Sequence, residues 1–247
     1  MIKVTVWNEN IHEKQEIYKD NLLKFYPMGI HNAIADFLNK DPEIEAKAVS
    51  LDMPSQGLPD EVLDNTDVLF WWAHAGHGQV EDALVEKIHK RVLEGMGMVL
   101  LHSAHYSQIF RKLMGTTCSL RWRESELDKE RVWTINYSHP IAEGLPDYFD
   151  IPGTEMYGEI FDIPQPDDII FISWYSGGEV FRSGITYQRG KRKIFYFSPG
   201  HETYPIYNQA EVQKILTNAA KWAKPTASTV RPMTTCIDFA KSPEWDK

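Results

Sequence analysis

The stretch Met98-Val-Leu-Leu-His-Ser-Ala-His-Tyr106 decides how the rest of the chain is read. A short apolar run bounded by Gly97 predicts a buried parallel strand, and Ala104 to Leu113 predicts the helix that follows it. In an open α/β sheet, ligands bind where a central strand ends and its helix begins. His102 and His105 fall at that point, so a His-x-x-His pair marks a candidate site.

Upstream, the pattern alternates. Ile2–Trp7, Ile44–Leu51 and Asp67–Trp72 have strand character. Between them lie a helix carrying Ile30, Ala33, Ile34, Phe37 and Leu38, a short helix at 60–63, and an amphipathic helix marked by Leu84, Val85, Ile88 and Val92. Strands alternating with helix-length crossovers predict an α/β fold, doubly wound on a mostly parallel sheet. After Gly115 the rhythm changes. Strands are expected at 130–137, 169–174, 180–187 and 193–197, with the third of these a candidate antiparallel strand, and a last helix at 210–222. The expected organisation is a single domain over residues 1–223 and a C-terminal tail over 224–247.

At 247 residues the chain is long enough for one large core, and 43% hydrophobic and 25% charged residues are ordinary for a globular protein. A net charge of −9 disfavours a nucleic-acid partner. No apolar run approaches the roughly 20 residues of a membrane span, and the start has no signal-peptide pattern. Two cysteines, Cys118 and Cys236, make neither a disulfide framework nor a metal spacing. These features point to a cytoplasmic protein without a membrane partner. The proline-bearing tail suggests a homo-oligomer. No glycine-rich turn follows the first strand, where Trp7-Asn-Glu-Asn10 stands, so a nucleotide cofactor is not expected.

His74, His77, His102, His105 and His201 all fall at predicted C-terminal strand ends, which face one crevice in this architecture. Imidazoles from separate strands, joined by a carboxylate, suit a divalent metal, zinc foremost. The alternative is a set of hydrogen-bonded imidazoles forming the polar wall of a substrate pocket. Glu155 and Glu202 are the candidate proton-transfer groups. Asn8, His12, Arg123, His139, Tyr157 and Arg182 are candidates for holding a substrate. His31 is expected to be structural. Ser103 lacks the flanking glycines of a nucleophile elbow, and neither cysteine ends a strand.

Four segments in fixed order carry a family likeness: Leu100-Leu-His-Ser-Ala104, Ser138-His-Pro-Ile-Ala-Glu-Gly-Leu-Pro146, Glu155-Met-Tyr157 and Ser198-Pro-Gly-His201. On these the chain resembles the ThuA-like (trehalose-utilisation) proteins of the class I glutamine-amidotransferase-like group. The resemblance implies a three-layer α/β/α, flavodoxin-like fold and a sugar-related substrate. It also implies that His102 stands where an amidotransferase carries its cysteine nucleophile, while His201 keeps the histidine place. Without that thiol a glutaminase reaction is excluded. Two readings follow: a metal-dependent enzyme acting on a sugar or keto-sugar in disaccharide utilisation, or a non-catalytic carbohydrate-binding or sensing protein.

Overall fold

The computed structural model describes residues 1–124 and 128–225; most of the tail, with Cys236, lies outside the described residues. The described residues include eleven strands: β1 (Ile2–Asn8), β2 (Ile44–Ser50), β3 (Val68–Trp72), β4 (Gly97–Leu101), β5 (Arg121–Glu124), β6 (Glu130–Thr134), β7 (Tyr148–Ile151), β8 (Glu155–Gly158), β9 (Asp168–Tyr175), β10 (Val180–Arg189) and β11 (Arg192–Phe197). The helices are α1 (Glu16–Phe25), α2 (Ile30–Leu38), α3 (Asp60–Asp64), α4 (Asp82–Glu94), α5 (Gln108–Met114) and α6 (Ala210–Ala223).

Nine strands form one sheet in the order β2-β1-β3-β4-β11-β10-β9-β6-β7, and β5 pairs with β8 in a separate ribbon. The run from β2 to β11 is parallel, while every pairing from β11 to β7 is antiparallel. The fold is therefore α/β on a mixed sheet, less parallel than the alternation before Gly115 suggested. Connection length explains the change. Only Gly190 and Lys191 separate β10 from β11, too few residues for a crossover, so the chain must turn back on itself.

The inner parallel strands β1, β3, β4 and β11 are largely buried on both faces, and side-chain parity sorts their residues into two cores. Val4, Val6, Phe70, Trp72, Val99 and Leu101 pack with α2 and α6. Trp7, Leu69, Trp71, Met98 and Leu100 pack with α4 and α5. Gly97, at the start of β4, lies so close to α6 that an added Cβ would sit 2.3 Å from the Ala223 carbonyl oxygen.

Two local expectations change. Residues 16–25, which carry no clear apolar period, are helical. The helix expected from Ala104 begins only at Gln108, after a 3-10 turn over His102–Tyr106; Ser107 caps it, its hydroxyl accepting from the Phe110 N–H at 3.3 Å. That turn holds both histidines of the opening motif against the strand end. Among the described residues, no helix is long and apolar enough to cross a membrane.

Candidate active site

Four strand ends of the parallel half deliver the site: His12 follows β1, His74 follows β3, His102 follows β4 and His201 follows β11. Glu155, which opens β8, completes it from the opposite side. Ligand atoms of His74, His102, His201 and Glu155 all lie within 4.8 Å of one another, and those of His12, His74 and Glu202 form a second such group. His74, His201 and Glu155 of the first group line a cavity of about 490 Å³, with His102 behind them, and its walls include Tyr18, His77, His105, Tyr106, Trp122, Glu124 and Tyr157.

His102 is fixed by its backbone and by one hydrogen bond. Its φ of 54° lies in the left-handed region that non-glycine residues seldom occupy, so the chain leaves β4 through a strained elbow. The ring Nδ1–H donates to the Ser198 carbonyl at 3.0 Å, which fixes the ring with Nε2 turned toward Glu155 and Tyr157. That Nε2 faces Glu155 Oε2 at 3.2 Å, and both side chains are buried. A neutral imidazole would set two lone pairs together there, which repel unless a proton or a cation lies between them, and the Tyr157 hydroxyl also lies 3.3 Å from Nε2. Glu155 Oε2 is buried without a hydrogen-bond partner. Tyr157 stacks on the His102 ring, centroids 5.0 Å apart, and shares a short hydrogen bond with Ser103.

His74 is oriented by Glu202. Its Nδ1 lies 2.9 Å from Glu202 Oε2, which leaves Nε2 for the cluster. The other Glu202 oxygen lies 3.4 Å from His12 Nε2. Burial opposes charge on His74, but the Glu202 hydrogen bond and the surrounding carboxylates outweigh it and lift the imidazole to about 9. Against the same burial penalty, His74 and its neighbouring imidazoles hold the Glu202 carboxyl well below the usual range. Desolvation instead dominates at His201, His77 and His105, pushing them down to about 4, 4 and 3. Burial also works against the Glu155 anion, and His102 reverses it, so this carboxyl is lowered too.

Glu9 is a site-building residue that the sequence reading missed, being one polar residue in a loop. Its two oxygens accept the Ala75 and Gly76 amides, each at 2.7 Å, and so pin the turn that carries His74. A Cβ at Gly76 would stand 2.5 Å from Ile11 Cδ1, so that side chain would have to turn aside.

Of the five expected metal ligands, the fold brings His74, His102 and His201 together. His77 and His105 line the cavity outside the cluster. The His105 Nδ1–H donates to the Cys118 carbonyl at 2.7 Å, and its ring packs among Tyr157, Phe161 and Tyr196. Of the expected substrate-binding residues, His12 and Tyr157 reach the cavity. Asn8 lies beneath it, bonded to Glu13 at 2.6 Å. Arg123 is spent on Asp128 and Glu179, and Arg182 on Glu159. His139 accepts the Ile141 amide and packs on Trp222, away from the cavity. His31 is buried beside Asn8, and burial lowers it to about 4. Trp122 and Glu124 were not anticipated, because they lie in a short polar strand with no apolar period to mark it.

The family model for ThuA, described as trehalose utilisation, matches residues 3–223. Among solved structures, a ThuA-like protein of Parabacteroides merdae superposes with a TM-score of 0.66 at 15% identity, covering 92% of each chain. A second ThuA-like protein, from Bacteroides uniformis, gives 0.63 at 16% identity over 90% of each chain. A cytoplasmic protein of Salmonella typhimurium gives 0.61 at 13% identity, over 91% of this chain and all of the other. At such identities the likeness is one of fold. No curated protein matches the sequence. The family model spans nearly the whole described chain, and its ends coincide with β1 and the end of α6, so the chain belongs to the ThuA (trehalose-utilisation) family.

Proposed function

We propose that this protein is a cytoplasmic, metal-dependent enzyme acting on a sugar or keto-sugar in the utilisation of trehalose or a related disaccharide. Its architecture is read as the three-layer α/β/α, flavodoxin-like form of the amidotransferase-like group, with the thiol chemistry removed. His74, His102, His201 and Glu155 would hold a divalent cation, zinc foremost. One observation carries the reading: ligand atoms of His74, His102, His201 and Glu155 all lie within 4.8 Å of one another, and Glu155 Oε2 among them is buried without a hydrogen-bond partner. Three imidazoles and one carboxylate form a donor set suited to zinc or manganese.

A cation bound there supplies Lewis acidity, polarising a carbonyl or activating a water. The chain's own groups do the rest. Ser198 and Glu202 fix which nitrogen of His102 and of His74 faces the centre. Glu202, expected from the sequence to move protons, is instead assigned to orienting His74 and His12, and Glu155 to ligation. The imidazole-lined cavity presents donors and acceptors to several hydroxyls at once, as a polyol requires.

Metal analysis of protein purified without a histidine tag tests this. About one zinc or manganese per chain is expected, retained through gel filtration. A content near zero that neither added zinc nor added manganese raises would overturn the metal-dependent reading.

A further inference from the structure

The ribbon β5–β8 has two unlike faces. In an antiparallel pair, residues directly opposite share a face and alternate residues return to it. Trp122 lies opposite Tyr157, and Glu124 opposite Glu155. All four line the cavity. On the other face Arg123 is locked bidentately to Asp128, both contacts at 3.0 Å, and also to Glu179. The ribbon is thereby anchored from behind, with Glu124 held over the cluster.

Three carboxylates line the cavity, and two of them are already engaged. Glu155 Oε2 faces His102, and Glu202 gives one oxygen to His74 and the other to His12. Glu124 differs in kind. Its side chain is 56% exposed, and its Oε1 stands 3.9 Å from His201 Nε2, too far for a hydrogen bond but close enough to share a substrate atom or a water. Among the described residues it has no Arg or Lys partner. A group that accepts and returns protons must reach the reacting atom directly or through one water, and its exposure gives Glu124 a route for exchange with bulk water.

Resting on the metal-dependent reading above, we propose that Glu124 is the catalytic acid–base residue of this site. Its carboxylate takes the proton of a substrate hydroxyl. The substrate O–H bond breaks as the carboxyl O–H forms, and the electron pair stays on the substrate oxygen. The same proton is returned to the product in the reverse transfer.

Cobalt(II)-loaded protein tests this without a known substrate, through metal content and the pH dependence of its visible bands. Glu124→Gln should keep full cobalt content, since Glu124 is no ligand. It should also lower the midpoint of the spectral titration by about half to one pH unit, because a nearby negative charge has been removed. Glu124→Asp should fall between the two. Loss of cobalt from Glu124→Gln would make Glu124 a ligand and overturn the proposal. An unchanged midpoint would show that the carboxylate does not reach the reacting position, which also overturns it. Failure of the unsubstituted protein to load cobalt would overturn the metal-dependent reading itself, and the proposal with it.

Discussion

The two halves of this sheet do different work. The parallel half, β2 to β11, is largely buried on both faces within its β2 edge, and four of its strands lead into histidines whose positions are set by where those strands stop. Among the described residues the antiparallel half carries no residue of the cavity; the separate β5–β8 ribbon contributes Glu155, Tyr157, Trp122 and Glu124 from the opposite side. The parallel half makes a rigid floor and the ribbon a wall. In a floor of this kind, ligand placement follows from topology; in the wall it follows from pairing register, which a one-residue slip would invert.

The sharpest test of the floor is His102→Ala. It removes the nitrogen nearest Glu155 and leaves that buried carboxylate only His74 and His201, within 4.8 Å, as opposite groups. Metal content should fall from about one per chain to near zero, and any metal-dependent turnover by on the order of a thousandfold. If metal content survives, the floor does not organise the site, and the cluster is a hydrogen-bonded wall.

Next in size is a pair of glycines, one in each half. Gly97→Ala drives a Cβ to 2.3 Å from the Ala223 carbonyl oxygen, and backbone cannot step aside. Gly184→Ala on β10 meets Phe171 Cδ2 at the same distance, but a side chain can turn. Denaturant midpoints should report about 3 kcal/mol lost for Gly97→Ala and about 1–2 kcal/mol for Gly184→Ala. Equal losses would mean that the parallel half is no more rigid than the other.

This asymmetry also explains what the sequence disclosed. Asp67–Trp72 and Met98–Leu101 are apolar, β-branched or aromatic, and bounded by turn residues, so their ends, and the histidines there, were legible. The ribbon was not. Arg121-Trp-Arg-Glu124 has the composition of a solvated loop, and only its pairing with β8 shows that Trp122 and Glu124 face inward while Arg123 faces out. Arg123 was therefore expected at the substrate one residue away from the positions that reach it. Glu9 was hidden for a related reason: its partners, the amides of Ala75 and Gly76, lie 66 and 67 residues along the chain.

Acid should find the floor before the wall. His201, His77 and His105 are lowered to about 4, 4 and 3 by burial, against 6.5 when the chain unfolds. The unfolded chain binds protons that the native one refuses, so stability is full above pH 6.5 and declines as pH falls toward 4. Each group contributes a slope of up to about 1.4 kcal/mol per pH unit. His74 works the other way. Raised to about 9, it stabilises fully below pH 6.5 and loses that contribution as pH rises to 9. Urea titrations of the metal-free protein should therefore peak near pH 6.5. Added zinc should flatten the alkaline arm, since a ligated His74 no longer titrates. An alkaline arm unchanged by zinc would remove His74 from the ligand set.

Arg182→Ala should have the smallest effect, and it separates two roles for the cations beside the wall. Arg182 makes a bidentate pair with Glu159, at 2.7 and 2.8 Å, and donates to the Phe161 carbonyl at 3.0 Å. Both members of the pair are a quarter to a third exposed, where screening leaves such a contact worth about 1 kcal/mol or less. The substitution should lower the denaturant midpoint slightly and leave metal content untouched, because Arg182 braces the segment after β8 without reaching the cavity. A variant of unchanged stability that no longer bound a sugar would reverse that assignment. Arg182 would then be a substrate contact, and the Glu159 pair a resting arrangement that opens on binding.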